Sequence, residues 1–263
     1  MVLFLFLAHL AVGIVLSLTF VGREAGVKFF RFNAGLAAAL LAVAFAFRTG
    51  ASATTFGTVA LVALILMEAA VVVYWATIGR TLASIRPAIV GVACASGLVA
   101  LVAQALDTAA GTAVTTQILT VASFLSSAAL LGGASTAMIL GHWYLVIPSM
   151  QVSLLQSIVK LHIASMVIRV AVVAAVVFVA IATWQPGLGP SFRHYIMSLS
   201  GIFFWQRVLF GLAGPAVLSW LTWETAKIRS TQSATGILYV DFFTVVVGEV
   251  LAKYLLLATR VPV

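Results

Sequence analysis

Charge is what this sequence has least of. Only 8% of its 263 residues are charged, against roughly 25% in a soluble domain. Hydrophobic residues make up 63%. No water-soluble fold hides that much apolar surface, so the solvent is lipid. Cysteine is almost absent too. Cys94 stands alone, which excludes an intrachain disulfide, a Cys-rich zinc site and an iron–sulfur cluster held by this chain alone. Cys94 itself reads as a small apolar residue inside a helix. There is no GxxxxGK[ST] phosphate loop, no HExxH and no Asp-rich DxxxD motif, so ATP-driven transport, zinc proteolysis and prenyl transfer have no support. Acidic residues number six against fourteen Lys and Arg, a net charge of +8. In a soluble protein that balance suggests nucleic acid. Here the basic residues sit mostly at the ends of apolar runs, the positive-inside pattern of a membrane protein, and nucleic acid is not an expected partner.

What is present is a series of apolar runs, at 3–21, 34–47, 57–78, 87–106, 116–141, 160–183, 195–221 and 237–258. The second is short and is expected to extend into Phe29–Asn33. A bilayer core about 30 Å thick takes about 20 apolar residues per helix, so eight spans use about 160 residues and leave no room for a separate soluble domain. The predicted fold class is an all-α integral membrane protein of eight transmembrane helices, one polytopic domain over 1–263. The first run is apolar from Val2 with no basic residues before it; it reads as a retained helix, not a cleaved signal peptide. Breaks with turn chemistry fall at Arg48-Thr49-Gly50, Arg86-Pro87, Asp107-Thr108, Pro148-Ser149, Pro186-Gly187 with Gly189-Pro190, and Arg229-Ser230-Thr231.

Lys and Arg set the orientation. The odd-numbered connections hold Arg23, Lys28, Arg31, Arg80, Arg86, Lys160, Lys227 and Arg229; the even-numbered ones and the C-terminus hold Arg48, Arg193 and Arg260. Odd connections are therefore expected in the cytoplasm, and both termini on the outer, periplasmic side of a bacterial inner membrane. Trp75, Trp143, Trp184, Trp220 and Trp223 cluster near helix ends, as interfacial aromatics do. There is a hint of internal duplication, with units 1–110 and 111–263. Thr81–Arg86 resembles Thr225–Arg229, each following a helix with Trp near its inner end, and Gly13/Gly22 matches Gly132/Gly141 in spacing.

Three groups of residues could carry chemistry. Glu68, Arg207 and Glu249 fall near the midplane, Arg169 about nine residues into its span, and Lys253 one turn after Glu249. A charge at the bilayer centre costs roughly 2.5–3.5 kcal/mol, so these five should face inward and pair. Depth along antiparallel neighbours predicts Arg207 against Glu249, or else against Glu68. They make a proton path or a polar cavity, or only structural ion pairs with Arg169 and Lys253 snorkelling outward. The second group lies at the inner face. His142, Trp143 and Tyr144 precede a helix-stopping Pro148, and Glu224 and Asp241 lie on the same side. A titratable group beside aromatics and apolar walls suits a quinone; an interfacial belt is the plainer reading. The third group is the histidines. His142 and His162 are the one candidate pair for an inner haem b, while His9 and His194 differ in depth. In the fifth span Ser123, Ser126, Ser127, Gly132, Gly133, Ala134, Ser135 and Thr136 allow close helix packing, or line a polar or pigment contact.

Eight helices, outside termini, very short connections and a four-plus-four arrangement resemble the NrfD/DmsC-type membrane anchors of respiratory oxidoreductases. The resemblance covers nearly the whole chain at the level of architecture and carries over no individual residue. It implies quinol exchange and partnership with redox subunits in a hetero-oligomeric membrane complex, respiratory or photosynthetic. A proton-coupled transporter using Glu68 and Glu249, with Arg207 as gating partner or anion site, is the alternative; Gly211, Gly214 and Pro215 would be its helix break. A purely structural or assembly subunit is the third reading.

Overall fold

The computed structural model describes residues 1–48, 54–147, 150–184 and 191–263. The expected turns at Thr49-Gly50, Pro148-Ser149, Pro186-Gly187 and Gly189-Pro190 lie outside the described residues. Every regular element among the described residues is helical: α1 (Val2–Leu18), α2 (Gly26–Ala46), α3 (Thr55–Thr77), α4 (Arg86–Thr108), α5 (Val114–Val146), α6 (Val152–Ala182), α7 (Phe192–Met197), α8 (Ile202–Val208), α9 (Gly214–Lys227) and α10 (Thr231–Thr259). Short 3-10 turns precede α2 and α8. Leu209–Ala213 is a π segment joining α8 to α9, so Leu199–Lys227 runs as one interrupted rod. Among the described residues, seven helices are long and apolar enough to cross a membrane; α1, with 17 residues, is a shorter apolar one.

Several helices outrun the apolar runs that announce them. α2 begins at Gly26, α6 at Val152 and α10 at Thr231. Their first turns carry Lys28 and Arg31, Gln156 and Lys160, and Thr231 to Ser233. Backbone hydrogen bonding continues beyond the hydrocarbon, where polar side chains meet water, and a hydropathy reading stops too early there. The extension matters for Arg169, which lies seventeen residues into α6 and thirteen before its end. It is a mid-helix residue, not one near an end. Local signals place other boundaries: Pro87 sits in the first turn of α4, where its missing N–H costs nothing, and Thr54 caps α3 by accepting from the Gly57 amide at 3.0 Å.

α5 is the centre of the packing, touching α1, α2, α4, α6 and α10, and α1 beside it touches α2, α4 and α10. α3 lies on α4 and α2; α5 lies on α6 and α10; α8 and α9 lie on α10, and α9 also on α6. The contact of α1 with α5 is made by backbone. A Cβ placed on Gly13 would sit 2.0 Å from the Ala128 carbonyl oxygen, and one on Gly132 would sit 2.0 Å from that of Gly13. His9 lies against Ser127 while Gly13 lies against Gly132, so these two helices run parallel. The connections α1–α2, α3–α4, α5–α6 and α9–α10 gather at one end: the ends of α1 to α4 share one cleft there, Trp143 packs on Phe29, and Gln156 donates to the Ala226 carbonyl. This is the basic end. Large apolar side chains such as Val62, Ile65, Val167, Phe203, Leu209 and Val217 face outward, which suits a surface wetted by lipid.

Candidate functional site

Burial sorts the charged residues. Arg169, Arg207 and Glu249 are fully buried, and Lys253 is 2% exposed. Three helices deliver them to one point. Glu249 on α10 takes the Arg169 fork from α6, Nε to Oε1 at 2.9 Å and Nη2 to Oε2 at 3.1 Å. Arg207, from the end of α8, reaches the same Oε1 at 2.9 Å. Lys253 is one turn further along α10, with Nζ 3.8 Å from Oε2. The expected contact of Arg207 with Glu249 is present, and Glu249 and Lys253 share a face. Arg169 and Lys253 do not snorkel outward; both turn into the bundle.

α5 completes this centre because its residues are small. Ser127 donates to Glu249 Oε2 at 2.6 Å and accepts from Lys253 at 2.8 Å, and the buried His9 lies 3.3 Å from the same hydroxyl. Ser123 and Ser126 accept from Arg169 Nη1, which also reaches the Ser123 carbonyl. The main-chain oxygen of Val263 accepts from Arg169 Nη2 at 3.3 Å, bringing the segment after α10 over the centre. The serines noted in the fifth span for close packing are thus hydrogen-bond partners of buried charge. The rod beside them is irregular. Gly211, in the π segment, and Gly248 approach so closely that a Cβ on Gly248 would lie 2.1 Å from the Gly211 Cα, and the Arg207 guanidinium rests on both. Arginine stays protonated in proteins, so Arg169 and Arg207 hold one carboxylate between them, with Lys253 as a third basic group.

Glu68 stands apart. It is half-buried on α3, which packs on α2 and α4, and the alternative contact with Arg207 is not made. α8, which carries Arg207, packs instead on α10, so the two residues stand on helices that are not packed together.

The basic-end residues are also divided. His142 is exposed, and its Nδ1 lies 2.9 Å from the Tyr239 hydroxyl. Tyr144 and Tyr239 line a pocket of about 520 Å³ between the ends of α5 and α10. Tyr144 donates its hydroxyl to the Gln151 carbonyl, which ties down the turn into α6. Trp143 points the other way, onto Phe29 and Phe32 of α2. Glu224 pairs with Lys227 at 2.7 Å on the exposed surface of α9. Asp241 is inside, fully buried, with Oδ2 2.6 Å from His162 Nε2. The anticipated quinone cluster is therefore reduced to His142 and Tyr144, joined by Tyr239, which sequence reasoning did not select. Its signal was available: Tyr239 precedes Asp241 by two residues in the same amphipathic first turns of α10.

The His142–His162 pair does not fit one haem. His162 lies against Gly133, nine residues before His142 on α5, about 13 Å along the helix. Its Nε2 is occupied by Asp241. Two axial ligands of one iron must face each other across a few ångströms, and these do not. Among the described residues, no group of three or more His, Cys, Asp or Glu side chains gathers in metal-binding geometry.

Chemically, the two sites differ. The buried centre is a locked anion inside a cage of cations, suited to holding α5, α6, α8 and α10 in register. The basic-end pocket offers an exchangeable proton on a Tyr–His hydrogen bond, beside a mixed lining of Tyr144, Leu145, Thr231, Gln232 and Thr235. No protein-family model matches this chain, and no curated protein or solved structure matches it.

Proposed function

We propose that the chain is the quinone-interacting membrane subunit of an electron-transfer complex, with the reaction site at the basic end between α5 and α10. The observation that carries this reading is the Tyr239–His142 hydrogen bond at the rim of the 520 Å³ pocket. Oxidation of a quinol releases two protons and two electrons, and each proton leaves in turn. A quinol O–H donates to the Tyr239 oxygen as the Tyr239 proton passes to His142 Nδ1, the hydroxyl is restored, and the exposed imidazole gives its proton to water before the second transfer. The electrons pass to a redox subunit, because this chain has too little polar surface to dock a soluble carrier alone. In this reading α1 is the eighth span. Its 17 residues cover about 25 Å, the short end of what crosses a bilayer. The basic end faces the cytoplasm, both termini face the periplasm, and α1–α4 and α5–α10 form two units of four spans in the same orientation, with Gly13 and Gly132 as equivalent residues. That arrangement is the one that resembles the NrfD/DmsC-type anchors.

The test is quinone binding and quinol oxidation by the protein purified with its partners in nanodiscs. Tyr239→Phe and His142→Gln should each lower turnover about 10²-fold, the low end of what general acid–base catalysis contributes. Turnover unchanged in both variants, or no quinone bound at all, overturns the proposal. A Soret band in the same sample would reinstate haem.

One observation favours proton-coupled transport as a second reading. The rod is interrupted at Leu209–Ala213 directly after the buried Arg207, and transporter sites form where spanning helices are broken. Substrate uptake by proteoliposomes containing this chain alone would favour transport over the redox role.

A further inference from the structure

At the basic end of α1–α4 a second cleft, of about 600 Å³, lies between the end of α1 and the start of α4, within the ~300–1,000 Å³ range of ligand sites. Its mouth carries Arg23 and Arg86. Arg86 gives one nitrogen, Nη2, to the Thr81 carbonyl at 3.0 Å, while its Nε is buried without an acceptor among the described residues. Pro87 opens α4 beside it, so the positive end of that helix faces the same mouth. Among the described residues the cleft lining contains no acidic side chain; Glu24 is adjacent to Arg23 in sequence. Inward, Leu18, Phe30, Tyr74 and Val90 pass from this cleft into a small recess of about 50 Å³ walled by Val15, Val71 and Ala93. Cationic mouth and apolar recess thus share four lining residues, at the basic end of helices long and apolar enough to cross a membrane.

We infer that this cleft binds one anionic phospholipid of the leaflet at the basic end, its phosphate on Arg23 and Arg86 and the first part of an acyl chain against Leu18, Phe30 and Val90. A soluble anion has no use for the apolar recess, and a neutral apolar ligand has none for the two guanidinium groups. Basic pockets between spanning helices recognise anionic headgroups in this way. The inference rests on the membrane setting of the chain and not on the quinone reading, whose pocket is formed by other helices.

Native mass spectrometry of the detergent-purified protein tests it, with phosphatidylglycerol and phosphatidylcholine of identical acyl chains as probes. The wild type should retain one phosphatidylglycerol with a preference of about tenfold or more over phosphatidylcholine. Arg23→Gln with Arg86→Gln should abolish that preference, while Arg80→Gln, in the exposed connection outside the cleft, should keep it. Ala93→Phe, which fills the recess and keeps both arginines, should lower retention of phosphatidylglycerol. Equal retention of the two lipids by the wild type, or an unchanged preference in the double variant, overturns the inference. So does complete displacement of the lipid by inorganic phosphate, which would mark a free-anion site.

Discussion

Arg169 grips Glu249 with both ends of its fork, at 2.9 and 3.1 Å, and the same carboxylate is the counter-charge of Arg207. One acid on α10 therefore fixes α6 and α8 inside the bundle, where all three side chains are fully buried. Removing it leaves two guanidinium groups and Lys253 buried together with serine oxygens but no carboxylate side chain beside them. Breaking a buried pair by deleting one partner typically costs about 3–5 kcal/mol. Glu249→Gln keeps the shape and loses the charge, and should lower stability by at least that much. Thermal unfolding in detergent, followed by loss of monodisperse protein, reads the effect. An unchanged midpoint would mean that the cations are compensated elsewhere and that Glu249 is not their anchor.

The basic groups are not equivalent. Lys253 approaches Glu249 only to 3.8 Å, hydrogen-bonds Ser127 and lies 5.2 Å from the centre of the Phe124 ring. Deleting one partner of a buried pair is costly because it strands the other charge, and deleting Lys253 strands none, since Glu249 keeps both guanidinium groups. Lys253→Met should then shift stability by less than about 1 kcal/mol, whereas Arg169→Met should cost about 3–5 kcal/mol because its fork has no substitute. The two unfolding midpoints, compared in one experiment, decide this. A larger loss for Lys253→Met would show that the weight lies on the Lys253–Ser127 side of the carboxylate.

Much of this architecture is legible in hydropathy, because apolar runs and basic ends are imposed by the bilayer itself. The Arg207–Glu249 contact follows from helix rise along a hairpin, since consecutive spans are neighbours. Arg169 as the main partner does not follow. Its helix starts at Val152, before the apolar run that announces it, and Glu249 lies on α10, which neither precedes nor follows α6 in the chain and is reached across the bundle by the long arginine side chain. Spans that are apolar all round carry little record of which face meets which helix. The same reason hides His9 beside Ser127, and His162 beside Asp241. Glycine left a trace: Gly13 and Gly132 stand out by spacing, and the structure brings them together.

That glycine contact makes a sharp prediction. A Cβ on Gly132 meets the carbonyl oxygen, carbonyl carbon and Cα of Gly13, all closer than 3.0 Å. Backbone atoms have no rotamer to turn away, so Gly132→Ala must push α1 from α5. Overpacking typically costs about 1–3 kcal/mol, and occasionally more; the upper end is expected here. Gly91→Ala is the matched control. Gly91 is helical with open space around its Cβ position, so alanine should be neutral or stabilising by up to about 1 kcal/mol from helix propensity. Equal behaviour of the two variants in thermal unfolding would rule out the close approach.

His162 and Asp241 pair at 2.6 Å with neither side chain exposed. Each is the other's main reason to be tolerated inside the bundle. Replacing Asp241 by Asn leaves an imidazole facing an amide that competes to donate, and replacing His162 by Gln leaves a buried carboxylate with a single amide donor. Both single variants should be destabilised, the second more, because an under-compensated charge costs more to bury than an under-compensated neutral ring. The double variant His162→Gln with Asp241→Asn removes the charge and permits an amide–amide hydrogen bond across the same gap. Its loss should therefore fall short of the sum of the singles by about 0.5–3 kcal/mol, the range of directly contacting residues. Unfolding midpoints of the four proteins close the cycle. Strict additivity would mean that the two side chains, although adjacent, are stabilised independently, and the pair would then be no link between α6 and α10.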